Sequence, residues 1–351
     1  MLATASSRPL EKLDPEVRVA LRIGCFQARF LDRVPSRAAV SESVELVKQA
    51  RKRSAAGFVN AVLRRLPERF SSEEALSHSH PKWLAERWRA RWGEGCADGI
   101  LAAGLEQPAT YLRLNPRFNL DETRAKLSEE GVETATAEIE TAVRLLRGRP
   151  QATSCWRQGR VRIQDLSSQL VVPLLRLTAE GRLLDLCAAP GGKTRQAIEL
   201  RGSAAGVVAA DLHLHRLRQT ADAVGAQVAL ATLNATRPLP FRRCFERILV
   251  DAPCSGTGTL ARNPEIKRRL RFDDLAELAV KQRGILTNAL DVLAPAGALV
   301  YSTCSLEREE NEAVVEAVLD ERPGFRTTER LERIPGRDAG DGFFACRIER
   351  V

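Results

Sequence analysis

A chain of 351 residues, 44 % of them hydrophobic, has the length for two or three domains and the composition of an ordinary globular protein. No apolar run approaches the roughly 18 residues of a membrane span and no basic leader with a cleavage site opens the chain, so it reads as soluble and cytoplasmic. Net charge is +9, and residues 1–70 hold 14 Lys/Arg against 7 Asp/Glu, the electrostatic footprint of a polyanionic partner.

Residues 14–70 read as helices. Glu16 to Leu31 carries an apolar stripe through Val17, Leu21 and Phe26. Ala38 to Ala50 carries one through Val40, Val44 and Val47, with Ser36 as N-cap after Val34-Pro35. Ala55 to Leu66 continues with Phe58, Val62 and Leu63. Ser71 to His80 is polar and ends at Pro81, a candidate linker. From Pro81 a helix bearing Trp83, Trp88 and Trp92 leads to a strand at Thr110 to Asn115, a helix from Asp121 and further short strands up to Arg160. Tryptophans at helical spacing read as packing groups.

Leu183 to Thr194 reads as a strand, a small-residue turn (Cys187, Ala188, Ala189, Pro190, Gly191, Gly192, Lys193) and a helix start. Gly192-Lys193-Thr194 matches the end of a phosphate-binding loop, but that motif needs glycine where Cys187 stands. The next strand, Gly206 to Asp211, ends in an acid, the way nucleotide-type folds hold ribose hydroxyls. A third strand, Gln227 to Thr232, leads to Asn234, whose amide could read an adenine edge.

Two cysteines then follow short apolar runs. Cys254 lies in Asp251-Ala252-Pro253-Cys254-Ser255-Gly256, after Arg247 to Val250; Cys304 lies in Tyr301-Ser302-Thr303-Cys304-Ser305, after Ala298 to Val300. Such runs read as buried parallel strands, whose carboxyl ends are where ligands bind in open α/β sheets. A lone strand-end cysteine is ordinarily a small buried hydrophobe; two at equivalent ends suggest covalent chemistry on an electron-poor ring. C5 methylation of a pyrimidine fits: a thiolate adding to C6 makes C5 nucleophilic, and a second thiol or a base helps release. Asp251 is placed to hydrogen-bond ring N3. The spacing does not say which cysteine attacks.

Downstream, Asn263 to Arg269 reads as a basic loop flanking the substrate, and Asp274 to Leu293 as a helix. Glu309 to Asp320 reads as another helix, acid-rich at its start as the macrodipole favours. Phe325 to Leu331 and Phe343 to Ile348 read as a terminal strand pair. Eight cysteines without a C-x-x-C pair indicate neither a zinc ribbon nor a disulfide framework. His78/His80 and His213/His215 lack the clustered partners of a metal site, so no metal is expected.

The segments at 183–194, 206–217, 247–258, 297–305 and 341–348 resemble the motif series of the Fmu/Sun family of RNA cytosine-5 methyltransferases. Within it the likeness is to bacterial 16S ribosomal RNA enzymes with an N-terminal NusB-like domain, down to Phe58 to Arg64. The resemblance implies an α/β fold: a Rossmann-like catalytic domain with a seven-stranded, mostly parallel sheet at 161–351. A small α+β RNA-binding subdomain at 78–160 and a partial all-α NusB-like domain at 1–77 would precede it. It implies S-adenosylmethionine held by Cys187 to Lys193, Asp211, Asn234 and Asp251. It also implies Cys304 as nucleophile, Cys254 in product release, and catalytic roles for Asp251 and Lys193. The family usually carries Asp where this chain has Asn234, which predicts a modestly altered cofactor affinity. Tyr111 and Arg113 are possible RNA contacts; aromatics at 5 % argue against extended stacking on bases.

The expected function is therefore C5 methylation of cytosine in 16S ribosomal RNA by a monomer. The alternatives are the same reaction on transfer RNA and a non-catalytic RNA-binding or assembly factor. The chain opens within what resembles the second half of a NusB-like domain, and the expectation is a reduced domain docked on the rest of the chain.

Overall fold

The computed structural model describes residues 1–68, 76, 78–225 and 227–351. Much of the candidate linker, 71–75 and 77, lies outside the described residues. The chain forms two compact units, Met1–Ser79 and His80–Val351.

The first unit is helical: α1 (Pro15–Phe30), α2 (Ser36–Gln49) and α3 (Ala56–Arg64). They share a core of Val17, Leu21, Val40, Val47, Val59, Val62 and Leu63. The buried line on α1 runs through Val17, Leu21 and Cys25, at spacings of four residues. Phe26, expected in the stripe, sits one residue further round; it is 55 % exposed and stacked on Phe30. Ser36 is the first helical residue of α2; Pro35 holds the cap position and no side chain caps the helix.

The second unit opens with α4 (Lys82–Trp92) and α5 (Glu94–Ala103). Trp88 is buried and donates through Nε1 to Glu307 Oε1 at 3.0 Å, while Trp83 meets Phe272 edge-on. An antiparallel sheet follows, ordered β2-β3-β1-β4, from β1 (Thr110–Leu114), β2 (Glu133–Thr136), β3 (Ala142–Arg147) and β4 (Val161–Ile163). Helix α6 (Leu120–Glu129), capped by Asn119 accepting from the Glu122 amide, contributes Leu127 to a core with Leu112, Leu114, Val143 and Val161. Arg113 is not available as an RNA contact. It is 4 % exposed, pairs with Glu199 at 2.6 Å and donates to the Gly192 carbonyl at 3.2 Å. Tyr111 is likewise buried.

The remaining strands are β5 (Leu183–Asp185), β6 (Val207–Asp211), β7 (Ala229–Thr232), β8 (Phe245–Asp251), β9 (Leu293–Thr303), β10 (Phe325–Arg333) and β11 (Phe343–Arg350). They make one seven-stranded sheet ordered β10-β11-β9-β8-β5-β6-β7. The five strands β5 to β9 are parallel; β11 and β10 complete the edge antiparallel. Both faces are covered, which is why these strands read as unbroken apolar runs. On one face Leu184, Ile248, Val250 and Tyr301 pack on α9 (Phe272–Val292) and α10 (Glu312–Asp320). On the other, Leu183, Leu249 and Val300 meet Val171, Leu175 and Ala197 of α7 (Gly192–Arg201). The chain winds from β5 outward through β6 and α8 (Leu214–Val224) to β7, then returns to place β8 on the other side of β5. That reversal opens a crevice at the carboxyl ends of β5 and β8.

Candidate active site

The β5–α7 turn brings the backbone close to its surroundings. Leu186 and Ala188 donate to the carbonyls of Leu249 and Ala210, and the Gly191 amide closes onto the Ala188 carbonyl at 2.7 Å. Gly191 has φ of +100°, and a Cβ there would lie 3.1 Å from Thr220 and Ala223, so only glycine fits. Asp185, at the end of β5, is buried and accepts from Thr194 Oγ1 at 2.7 Å; burial pushes its carboxyl up to about 7. Burial, together with Asp185, Asp251 and Asp211, also drives the Cys187 thiol upward, making it a neutral wall.

A cavity of about 340 Å³ opens at the crevice and is lined by Cys187, Ala189, Asp211, Asn234, Asp251, Cys254 and Cys304. Seven of the residues singled out from the sequence thus share one space. Ala188, Pro190, Gly191 and Gly192 form the turn behind it. Lys193 reaches Asp251, donating from Nζ to Oδ2 at 2.7 Å, and lies 5.0 Å from the Phe343 ring centroid. Burial disfavours its charge, but Asp251, with the charges of Cys304 and Asp185, holds the ammonium above its ordinary pKa. Asp251 Oδ1 accepts from Ser302 Oγ at 2.8 Å.

The residues fit S-adenosylmethionine. Asp211 ends β6 with its oxygens fixed by the amides of Ala189 (3.3 Å) and His213 (3.0 Å), an anchored carboxylate suited to a ribose diol. Leu186, Leu233 and Ile285 give the same cavity an apolar wall for a flat ring. Asn234 Oδ1 is taken by the Thr236 amide and hydroxyl at 3.0 and 2.8 Å. Its amide nitrogen is the group left open among the described residues.

Cys254 and Cys304 stand with their sulfurs 3.4 Å apart. The hydrogen bond to Cys304, burial, and the charges of Cys304 and Glu310 all raise the Cys254 thiol well above its ordinary value. Cys254 also borders a second cavity, about 360 Å³, with Ile266, Arg269, Leu270 and Lys281. The basic loop is therefore divided: Arg269 faces that cavity, whereas Lys267 donates to the Gly104 carbonyl. Behind the pair, Gly258 donates to the Cys304 carbonyl and accepts from the Gly342 amide. A Cβ on Gly258 would lie 2.3 Å from the Gly342 carbonyl oxygen, and one on Gly342 would lie 2.7 Å from Gly258 Cα.

Three family models match the chain: "16S rRNA methyltransferase RsmB/F" over residues 172–349, "NusB family" over 1–68, and an RsmF/B-like ferredoxin-like domain over 80–151. The "Probable ribosomal RNA small subunit methyltransferase B" of Bacillus subtilis (strain 168) is 34 % identical over all of this chain and 86 % of its own length. The chain belongs to the RsmB/F family of 16S rRNA methyltransferases. The "Ribosomal RNA small subunit methyltransferase B" of Xylella fastidiosa (strain 9a5c) is 35 % identical over 97 % of this chain and 85 % of its own. Among solved structures, the crystal structure of PH0851 superposes with a TM-score of 0.82 at 25 % identity, covering 98 % of this chain and 84 % of that one.

Several site residues were not anticipated. Lys281 and Ile285 reach both cysteines' surroundings from α9, and Arg216 of α8 donates to the Ala189 carbonyl. Lys281 and Ile285 lie on the helix read only as Asp274 to Leu293, and Arg216 lies on a helix the sequence reading did not include. Glu310 is the largest departure. The helix expected from Glu309 starts at Glu312, and residues 308–310 form a 3₁₀ turn. Glu310 there is fully buried rather than set on an exposed helix terminus.

Proposed function

We propose that this protein methylates C5 of a cytosine in 16S ribosomal RNA through a covalent bond between Cys304 Sγ and C6. The observation that carries this reading is the pairing of two thiols 3.4 Å apart in the cavity that also holds Asp211 and the Asp251 carboxylate. We read the chain as a NusB-like domain (1–77), an RNA-binding subdomain (78–160) and a catalytic domain (161–351), acting as a cytoplasmic monomer.

When bound, S-adenosylmethionine supplies an electrophilic methyl on sulfonium. Asp211, Asn234 and the 187–193 turn hold it; Cys304 and Asp251 act on the base. The Cys304 thiolate adds to C6 while Asp251, entering this step as the carboxylic acid, passes its proton to N3; Lys193 and Ser302 hold the carboxylate left behind, and N3 returns the proton when the base is released. C5 then takes the methyl, loses its proton to water, and Cys304 leaves as thiolate with the C5–C6 double bond restored. Cys254 is a thiol at this stage, because its surroundings raise its pKa, and its S–H stands beside Cys304 Sγ to stabilise the departing sulfur. The deciding experiment is incubation with labelled S-adenosylmethionine and small-subunit RNA from a strain lacking the gene. Label in 5-methylcytosine supports the reading, and absence of label from any RNA overturns it.

A further inference from the structure

The carboxylate of Glu310 lies at the junction of the two cysteine loops. It is fully buried. Oε1 accepts from the Ser255 amide at 2.8 Å and from Gln282 Nε2 at 3.0 Å. Oε2 accepts from the hydroxyls of both Ser255 and Ser305. Those serines directly follow Cys254 and Cys304, and their hydroxyls are 3.1 Å apart. Gln282 is itself tied to the Pro253 carbonyl at 2.9 Å, just ahead of Cys254. The backbone of Glu310 joins in, its carbonyl accepting from Tyr301 Oη at 2.6 Å. Asn311 donates to the Ser305 carbonyl at 2.9 Å.

No ion pair to Glu310 exists among the described residues; its charge is met by four neutral donors. Burying a carboxylate without a cation is costly, and a neutral acceptor or an apolar contact would hold two loops at lower cost. Two oxygens each accepting twice do what no neutral side chain of that size does: they gather donors from both loops onto one group.

We infer that Glu310 is a positioning residue of the methyl-transfer reaction, setting the separation of Cys254 and Cys304 through Ser255 and Ser305. It touches neither substrate nor cofactor and acts through the two serines. The inference rests on the cysteine roles proposed above. A glutamine at 310 offers one acceptor oxygen and turns a donor toward a hydroxyl, so one loop is released while the side-chain volume is kept.

The test compares full-length E310Q, S255A/S305A and their combination with wild type. Both single sets are expected to bind S-adenosylmethionine like wild type. Their kcat should fall at least about tenfold with KM for RNA little changed, the signature of misplaced reacting groups. Because the effect runs through the serines, the combined variant should be no slower than the slower parent. Wild-type kcat in E310Q, or losses that multiply in the combination, would overturn the inference. Should E310Q fail to fold, the serine variant decides alone, and full activity there also overturns it. A second readout needs no RNA: dibromomaleimide bridges two thiols only when they are adjacent. Wild type should give the Cys254–Cys304 bridge and the variants mainly single adducts; equal bridging would refute the positioning role. If wild type methylates no RNA yet bridging still depends on Glu310, the proposed function fails and the positioning of the pair stands.

Discussion

Lys193 Nζ and Asp251 Oδ2 meet at 2.7 Å although they come from different strand ends, the start of α7 and the end of β8. Burial disfavours the ammonium, and the carboxylate favours it. The pair thus fixes the Asp251 carboxyl group at the crevice, where the proposed mechanism has it pass a proton to the base.

Asp251→Asn keeps the shape and removes the group that can pass a proton to N3. Transfer should fall by roughly 10² or more, the scale of losing one preorganised polar group. The pair is partly exposed, so the melting temperature should move by only a few degrees. Steady-state kinetics beside a thermal melt checks this; a loss of stability large enough to account for the lost activity would refute it.

The cysteines separate by outcome. Cys304→Ala should abolish transfer while cofactor binding persists. Cys254→Ala should permit addition and methylation but slow release, leaving a protein–RNA species that survives a denaturing gel. The opposite pattern, trapping by Cys304→Ala alone, reverses the assignment.

Asp185 makes stability depend on pH. Its folded carboxyl is pushed from 3.8 up to about 7. Between those values the folded state holds a proton that the unfolded state has lost, so the stability linked to this group is fully present below pH 4. It declines as pH rises and is gone above about 7. The loss is up to roughly 4 kcal/mol. Asp185→Asn, which can still accept from Thr194, removes the dependence. Denaturant melts at pH 4.5 and 7.5 should show wild type losing ground to the variant as pH rises; parallel curves would contradict the burial argument.

Arg113→Ala takes one of two cations from buried Glu199, Arg195 still donating to it at 2.8 Å, so the variant should lose less than the about 3–5 kcal/mol of a buried charge left wholly unpaired. The salt dependence of RNA binding should keep its slope, because a buried guanidinium displaces no counterions. A slope reduced by about one would restore Arg113 as a phosphate contact.

The sheet was legible in the sequence for a physical reason. Strands covered on both faces must be continuously apolar, so Ile248 to Val250 and Leu299 to Tyr301 announced themselves, and the polar residues ending them marked the crevice. Periodicity carried the helices less well. It placed Val17 and Leu21 inside but could not tell that the buried line continues through Gly24 and Cys25, leaving Phe26 outside. Arg113 looked like a surface cation because its acid, Glu199, is 86 residues away. Glu310 was hidden in an acidic run whose local meaning, a helix start, was plausible by itself. Beside nearby Ser305, that carboxylate draws its donors from Ser255 and Gln282, which the fold brings in from other elements.

Gly258 and Gly342 have a consequence at the level of the gene. Each is crowded by the backbone of the other, so an alanine at either position collides, and alanine at both collides more. No second change at the partner site can rescue the first. Two codons far apart in the message therefore drift under one shared constraint. A saturation library selected for activity should return glycine at both, with no compensated pairs between them.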